Sequence, residues 1–246
     1  PPVKAAVLKM SDANRTQVSK VNSVAGTPIT MLPPLSEPLA PVTVIDIEDG
    51  AFDPDEAADC LRRRGFVILR NLFPNAYLDD VVARMEKCFE RPAIAGAMGY
   101  WKFDHAKKTL NPFMLGGNVV PMMLDERVID FVEAYMASDC VLAEVSLKFD
   151  KGVGYEYFPL HSDFSPGWKK TSSLEEGLTE ESLRDPVGVG GAIYLHDTSD
   201  GAFTYCEGTH DYTAVDGPNL SDYPSDIRQR ILERRVRCDG QKGDLV

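Results

Sequence analysis

Histidine is scarce in this chain, with four residues in 246, and its five cysteines include no Cys-x-x-Cys pair. Cys60, Cys88, Cys140, Cys206 and Cys238 are odd in number and widely spaced. That pattern argues against a disulfide framework and a zinc-cysteine site, and it reads as reduced, mostly buried thiols in an intracellular protein. Positive charge is also in the minority: 26 Lys and Arg stand against 38 Asp and Glu, a net charge of −12. A nucleic-acid surface needs a basic stripe, and an anionic membrane attracts basic segments, so neither partner is expected. No apolar run approaches the roughly 20 residues of a membrane span. The expectation is an intracellular, cytoplasmic protein. Lys4, Lys9, Arg15 and Lys20, set among Ser and Thr, leave an organelle-targeting remnant as the alternative to a surface tail.

What remains is an ordinary globular composition, 43% hydrophobic and 26% charged, long enough for one sizeable core. Residues 1–45 mix Ser, Thr, small apolar residues and Pro28, Pro33, Pro34, Pro38 and Pro41, which reads as a flexible arm or linker. Residues 46–246 form the domain. Asp53 can cap a helix that has Pro54 in its first turn and ends near Gly65. Phe66 to Leu69 is a short strand. Leu78, Val81, Val82, Met85 and Phe89 then fall on one helical stripe and predict core packing. Residues 91–124 read as irregular, and His105 there as a surface or satisfied histidine. A third helix runs from about Asp125 to Met136.

From Cys140 the texture changes to strands: 141–149, 156–163, 188–196 and 202–206, the last two joined by an expected turn at 197–201. A short helix is expected within 223–234, and last strands at 236–238 and 244–246. Helices first and strands after predict an α+β chain, with helices packed outside an antiparallel sheet system that can close as a jelly roll.

His161 and Asp163 stand two apart. On an extended strand, residues i and i+2 share a face, so imidazole and carboxylate project side by side, about 6–7 Å apart at the backbone. With a second His from elsewhere and three open positions, that pair is two thirds of the facial triad of non-haem Fe(II) oxygenases. The bland reading is a hydrogen-bonded surface pair. Lys148 and Lys151 read as solvated lysines or as contacts for an anionic cosubstrate or substrate. Tyr194 and His196 share a strand face with Ala192, and if that face is interior they reach the same site.

Several pieces now stand in order: Gly65 to Phe73 after a helix; a helix before the 141–149 strand; His161-Ser162-Asp163 with Phe164, Pro166, Gly167 and Trp168 behind; Ala192 to Ala202; Glu207-Gly208-Thr209-His210; and Gly243-Asp244-Leu245-Val246. The series resembles the phytanoyl-CoA dioxygenase family of Fe(II)- and 2-oxoglutarate-dependent oxygenases over residues 53–246. The resemblance implies a double-stranded β-helix (jelly roll, cupin-like), with its C-terminal strands missing here. It implies Fe(II) held by His161, Asp163 and a distal His, and an Arg pairing with 2-oxoglutarate; both of the latter are expected beyond Val246. Tyr194 and Lys148 become candidates for contacting 2-oxoglutarate. The implied reaction is hydroxylation of a small-molecule substrate with O2, 2-oxoglutarate leaving as succinate and CO2. Asp163 favours hydroxylation over halogenation, because related halogenases carry a small residue there. His210 matches the family's non-ligand His, and Glu207 stands where the family usually has Pro. The stretch 169–185 is long and reads as a lid or insertion. Two alternatives stay open: a non-catalytic jelly-roll binding protein, and a cupin-like metalloenzyme using His196 or His210 as a further ligand.

Overall fold

The computed structural model describes residues 27–91, 100–102, 106–150, 159–162, 188–214 and 216–246, and every structural statement below concerns these. In chain order the elements are β1 (Thr27–Pro28), β2 (Val44–Asp46), α1 (Pro54–Arg64), β3 (Ile68–Arg70), α2 (Asn75–Phe89), β4 (Tyr100–Lys102), β5 (Ala106–Thr109), α3 (Val119–Met123), α4 (Glu126–Met136), β6 (Leu147–Asp150), β7 (Thr198–Cys206), β8 (Tyr212–Thr213), α5 (Ser225–Leu232) and β9 (Arg235–Gly240).

Helix α1 begins where its capping residue dictates. The Asp53 carboxylate accepts from the Asp55 N–H at 2.9 Å and the Glu56 N–H at 3.4 Å, with Pro54 in the first turn. A cap of this kind stabilises by about 1 kcal/mol. The helix stops at Gly65, whose φ of 80° only glycine adopts without strain. Asp125 caps α4 in the same way, accepting from the Arg127 N–H at 3.1 Å.

Strand β3 organises the centre. It pairs in parallel with β2, Leu69 opposite Ile45. On its other edge Leu69 exchanges both backbone hydrogen bonds with Leu245, at 2.8 and 2.9 Å. The 243–246 segment in turn bonds to 192–194: Ala192 and Val246 exchange bonds at 2.9 and 3.0 Å, and the Tyr194 N–H donates to the Asp244 carbonyl at 2.8 Å. Four extended segments therefore lie side by side.

Alternation along β3 divides the core. Val67 and Leu69 face one cluster with Ala57, Ala58 and Leu61 of α1, Leu78, Val81 and Met85 of α2, and Phe131 of α4. Phe66 and Ile68 face a second cluster with Val236 and Cys238 of β9. Helices cover one face of these strands and β9 covers the other, which is why both registers of β3 are apolar.

The ribbon formed by 192–206 and 235–246 bends between these layers. Its outer part is the β7–β9 pair, Phe203 opposite Cys238 and Cys206 opposite Arg235. A register shift between Thr198 and Phe203 marks the bend. The expected turn at 197–201 is corrected here. Thr198 to Gly201 belong to β7, and 192–194 and 198–206 are successive parts of one arm, the first paired with 243–246 and the second with 235–240. The 141–149 strand is reduced to Leu147–Asp150, and Val141 is 88% exposed. The 91–124 stretch holds the β4–β5 pair and α3, and β4, β5 and β6 form a three-stranded antiparallel sheet.

The arm expected over 1–45 is described from Thr27 onward, and there it is packed. Ile29 and Leu32 are buried in a third cluster with Ala214, Tyr223 and Ile227. Further along, Arg64 donates to the carbonyls of Ala40 and Pro41 and to the Thr43 hydroxyl. Prolines deprive this stretch of N–H donors without preventing burial of its aliphatic side chains.

Candidate functional site

His161 is exposed and sits in a short antiparallel pairing. It is bridged to Asn219; the Ser162 N–H donates to the Pro218 carbonyl at 2.7 Å and the Leu220 N–H to the Leu160 carbonyl at 3.1 Å. Its Nδ1 lies 2.8 Å from the Pro159 carbonyl oxygen. A carbonyl only accepts, so Nδ1 carries the proton, and in the neutral ring the lone pair is on Nε2. An N–H anchored to a backbone carbonyl is how metal-ligating imidazoles are oriented. Asp163, Phe164 and Trp168, the stretch 169–185 and most of the 156–163 strand lie outside the described residues. Among the described residues no three His, Cys, Asp or Glu side chains group as a metal site requires.

Tyr194 is buried, and its hydroxyl is engaged twice: it donates to the Cys238 carbonyl at 2.8 Å and accepts from the Phe203 N–H at 3.1 Å. Burial pushes its pKa up to about 12. The hydroxyl thus bridges the bent ribbon where the register shift leaves backbone groups to satisfy. Lys148 is an exposed residue of β6, directly opposite Lys108 of β5, whose ammonium lies 3.7 Å from Glu144. His161, Tyr194 and Lys148 therefore stand on three separate strand pairings.

His196 is exposed, and its carbonyl accepts from the Thr198 hydroxyl at 2.9 Å. His210 belongs to a different structure. Its Nε2 is 3.0 Å from the Arg62 carbonyl and 3.4 Å from Asp211, and its buried Nδ1 has no hydrogen-bond partner. The Gly208 N–H donates to the Arg64 carbonyl at 3.2 Å. Glu207 meets Arg64 with both carboxylate oxygens, and the Thr209 hydroxyl donates to the Cys206 carbonyl at 2.7 Å. The Glu207–His210 turn thus serves the carbonyls that the end of α1 leaves unpaired.

Two interactions had no signal in the sequence. One is the Arg64–Glu207 pair, joining residues 143 positions apart. The other is Asp244, fully buried: one oxygen accepts from the Asn71 N–H at 3.2 Å, the other from the Gln241 N–H at 2.8 Å, and Arg70 Nε is 3.5 Å away. The Gly-Asp-Leu-Val motif marked Asp244 as a strand residue, and nothing in it marked the carboxylate's partners.

A cleft of about 290 Å³ is lined by Gly50, Asn71, Phe73, Asn75, Arg127 and Lys242 among others. Its cations are compensated within the protein: Arg127 by both oxygens of Asp125 at 2.8 Å, Lys242 by Asp79. His161, Tyr194 and Lys148 do not line it.

Compared with known proteins, the chain matches no family model, no curated protein and no solved structure. Among the described residues no helix is long and apolar enough to cross a membrane.

Proposed function

We propose that the chain carries the iron-binding motif of an Fe(II)- and 2-oxoglutarate-dependent oxygenase that hydroxylates a small organic substrate, on a jelly-roll scaffold. The observation that carries this reading is the His161 ring, held by its Nδ1–H on the Pro159 carbonyl, two residues before Asp163. A neutral imidazole Nε2 and a carboxylate are the donors that non-haem Fe(II) takes, so the residues present fit the metal. His161 and Asp163 would hold it, with a further His completing the triad.

Bound there, Fe(II) with 2-oxoglutarate supplies the oxidation of a C–H bond by O2, one oxygen atom going to the substrate and one to succinate, with release of CO2. The chain's own part is to fix the imidazole, and the pairing of 160–162 with 218–220 does so through the backbone. The bent ribbon supports the scaffold half of the reading. A jelly roll needs a two-stranded ribbon that passes from one sheet to the other, and here 192–194 with 244–246 and β7 with β9 lie on either side of one bend.

The test is succinate formation by the full-length protein supplied with Fe(II), 2-oxoglutarate and O2. The reading expects succinate with wild type and its loss in His161→Ala and in Asp163→Ala. Equal succinate from wild type and both variants overturns it.

A further inference from the structure

Residues 27–33 lie on the protein as a two-residue strand, Thr27–Pro28, followed by one 3-10 turn, Ile29–Met31. Thr27 and Pro28 add a parallel strand to Tyr212 and Thr213. Ile29 and Leu32, three positions apart and 6% and 0% exposed, insert between Ala214, Tyr223 and Ile227. Their cluster is separate from the two clusters on either side of β3. The prolines offer no N–H, and the surface answers with donors. Arg230 Nη1 donates to the Leu32 carbonyl at 3.1 Å and Arg234 Nη2 to the Pro33 carbonyl at 2.9 Å. Beyond Pro33 the chain is largely exposed through Pro34, Ser36, Glu37 and Pro38 until Arg64 takes the Ala40 carbonyl at 3.1 Å. It is built as an anchored segment on a tether.

The floor of this groove reaches His161. The Tyr223 hydroxyl donates to the Gly217 carbonyl at 2.7 Å, and the next residues, 218–220, are those that pair with 160–162. We propose that Tyr212, Ala214, Tyr223, Ile227, Arg230 and Arg234 form a peptide-recognition groove. Its ligand is a proline-flanked segment, a short strand leading into one 3-10 turn, with aliphatic side chains at i and i+3 and carbonyls turned to the arginines. Residues 27–33 are its displaceable occupant in cis, and occupancy holds the 218–220 loop against the His161 strand. Strand addition, an apolar cluster that takes two side chains, and donors for backbone carbonyls are the elements of such recognition. The groove stands on its own contacts; only its meaning for catalysis rests on His161 as a metal ligand.

The test uses the full chain carrying Ile29→Asp and Leu32→Asp, which vacates the groove, and a fluorescent peptide of residues 26–34. The peptide is expected to bind this variant. Wild type should bind about ten-fold or more weakly, because the tethered segment competes at high effective concentration. Adding Ile227→Asp should abolish binding. In hydrogen exchange, the Ser162 and Leu220 amides should lose protection in the double variant and regain it with peptide, while Leu69 and Leu245 stay protected throughout. Three results overturn the proposal: no peptide binding, binding that leaves Ser162 and Leu220 unprotected, or loss of protection at Leu69 and Leu245, which would make the segment part of the main core. None of these readouts involves a metal, so they decide the groove independently of the oxygenase reading.

Discussion

Arg64 and Glu207 meet edge to edge, Nε to Oε1 and Nη2 to Oε2, both at 2.8 Å. Their side chains are 12% and 17% exposed, and the same guanidinium lies over the Phe66 ring at 5.0 Å. One side chain thereby joins the end of α1, the 40–43 stretch and the turn after β7. Glu207→Ala leaves that part-buried guanidinium without its carboxylate, with only the Ala40 and Pro41 carbonyls and the Thr43 hydroxyl as acceptors, and a loss of about 2 kcal/mol is expected by urea unfolding. A loss below about 1 kcal/mol would place the pair with ordinary surface ion pairs.

Gly65 offers a contrast with Gly190. A Cβ on Gly65 would lie 2.4 Å from both His210 Nδ1 and the Tyr205 hydroxyl, at a φ of 80°. A Cβ on Gly190 meets nothing within 4 Å. Gly65→Ala is expected to cost about 2 kcal/mol or more, combining left-handed strain with displacement of two packed rings. Gly190→Ala is expected within about 0.5 kcal/mol of wild type. Thermal unfolding of both checks this, and equal midpoints would contradict it.

The fold is expected to weaken on the alkaline side. Burial pushes the Cys206 and Cys238 thiols up to about 11 and the Tyr194 hydroxyl up to about 12. The neutral forms are the ones accommodated. The unfolded chain therefore sheds these protons first, near pH 9 for the thiols and near 10 for the tyrosine, and binds fewer than the native state above that. Stability from these groups is full below about pH 9 and falls as pH rises toward 11 and 12. Urea midpoints measured from pH 8 to 11 should decline. In Tyr194→Phe the part of the decline above pH 10 should shrink. A flat profile would contradict the burial of all three groups.

What the sequence revealed followed from local chemistry. Asp53 with Pro54, and the αL stop at Gly65, fix α1 by rules a few residues long. The Leu78, Val81 and Met85 stripe fixes the buried side of α2. Long-range pairing was out of reach. Nothing local tells Leu245 to choose Leu69 and Ile193, or tells Thr198 to Gly201 to continue a strand through a register shift. The composition of 27–45 spoke for a linker, because prolines remove donors. The structure buries Ile29 and Leu32 regardless, since arginine side chains supply the donors from outside. At the site, His161 drew attention only through its spacing to Asp163, and its backbone pairing with Asn219 had no signal in the sequence. The sequence put Tyr194 and His196 on one face; the structure buries Tyr194 and exposes His196, and the claim of Cys238 and Phe203 on the Tyr194 hydroxyl depends on the ribbon's bend.

The central claim, that His161 and Asp163 hold iron for 2-oxoglutarate chemistry, is tested most directly by optical titration. The full-length protein is titrated anaerobically with Fe(II) in the presence of 2-oxoglutarate. The account predicts a weak visible charge-transfer band from the chelate, lost in His161→Ala. A folded wild-type protein that gives no band would contradict it, as would a band that survives in His161→Ala.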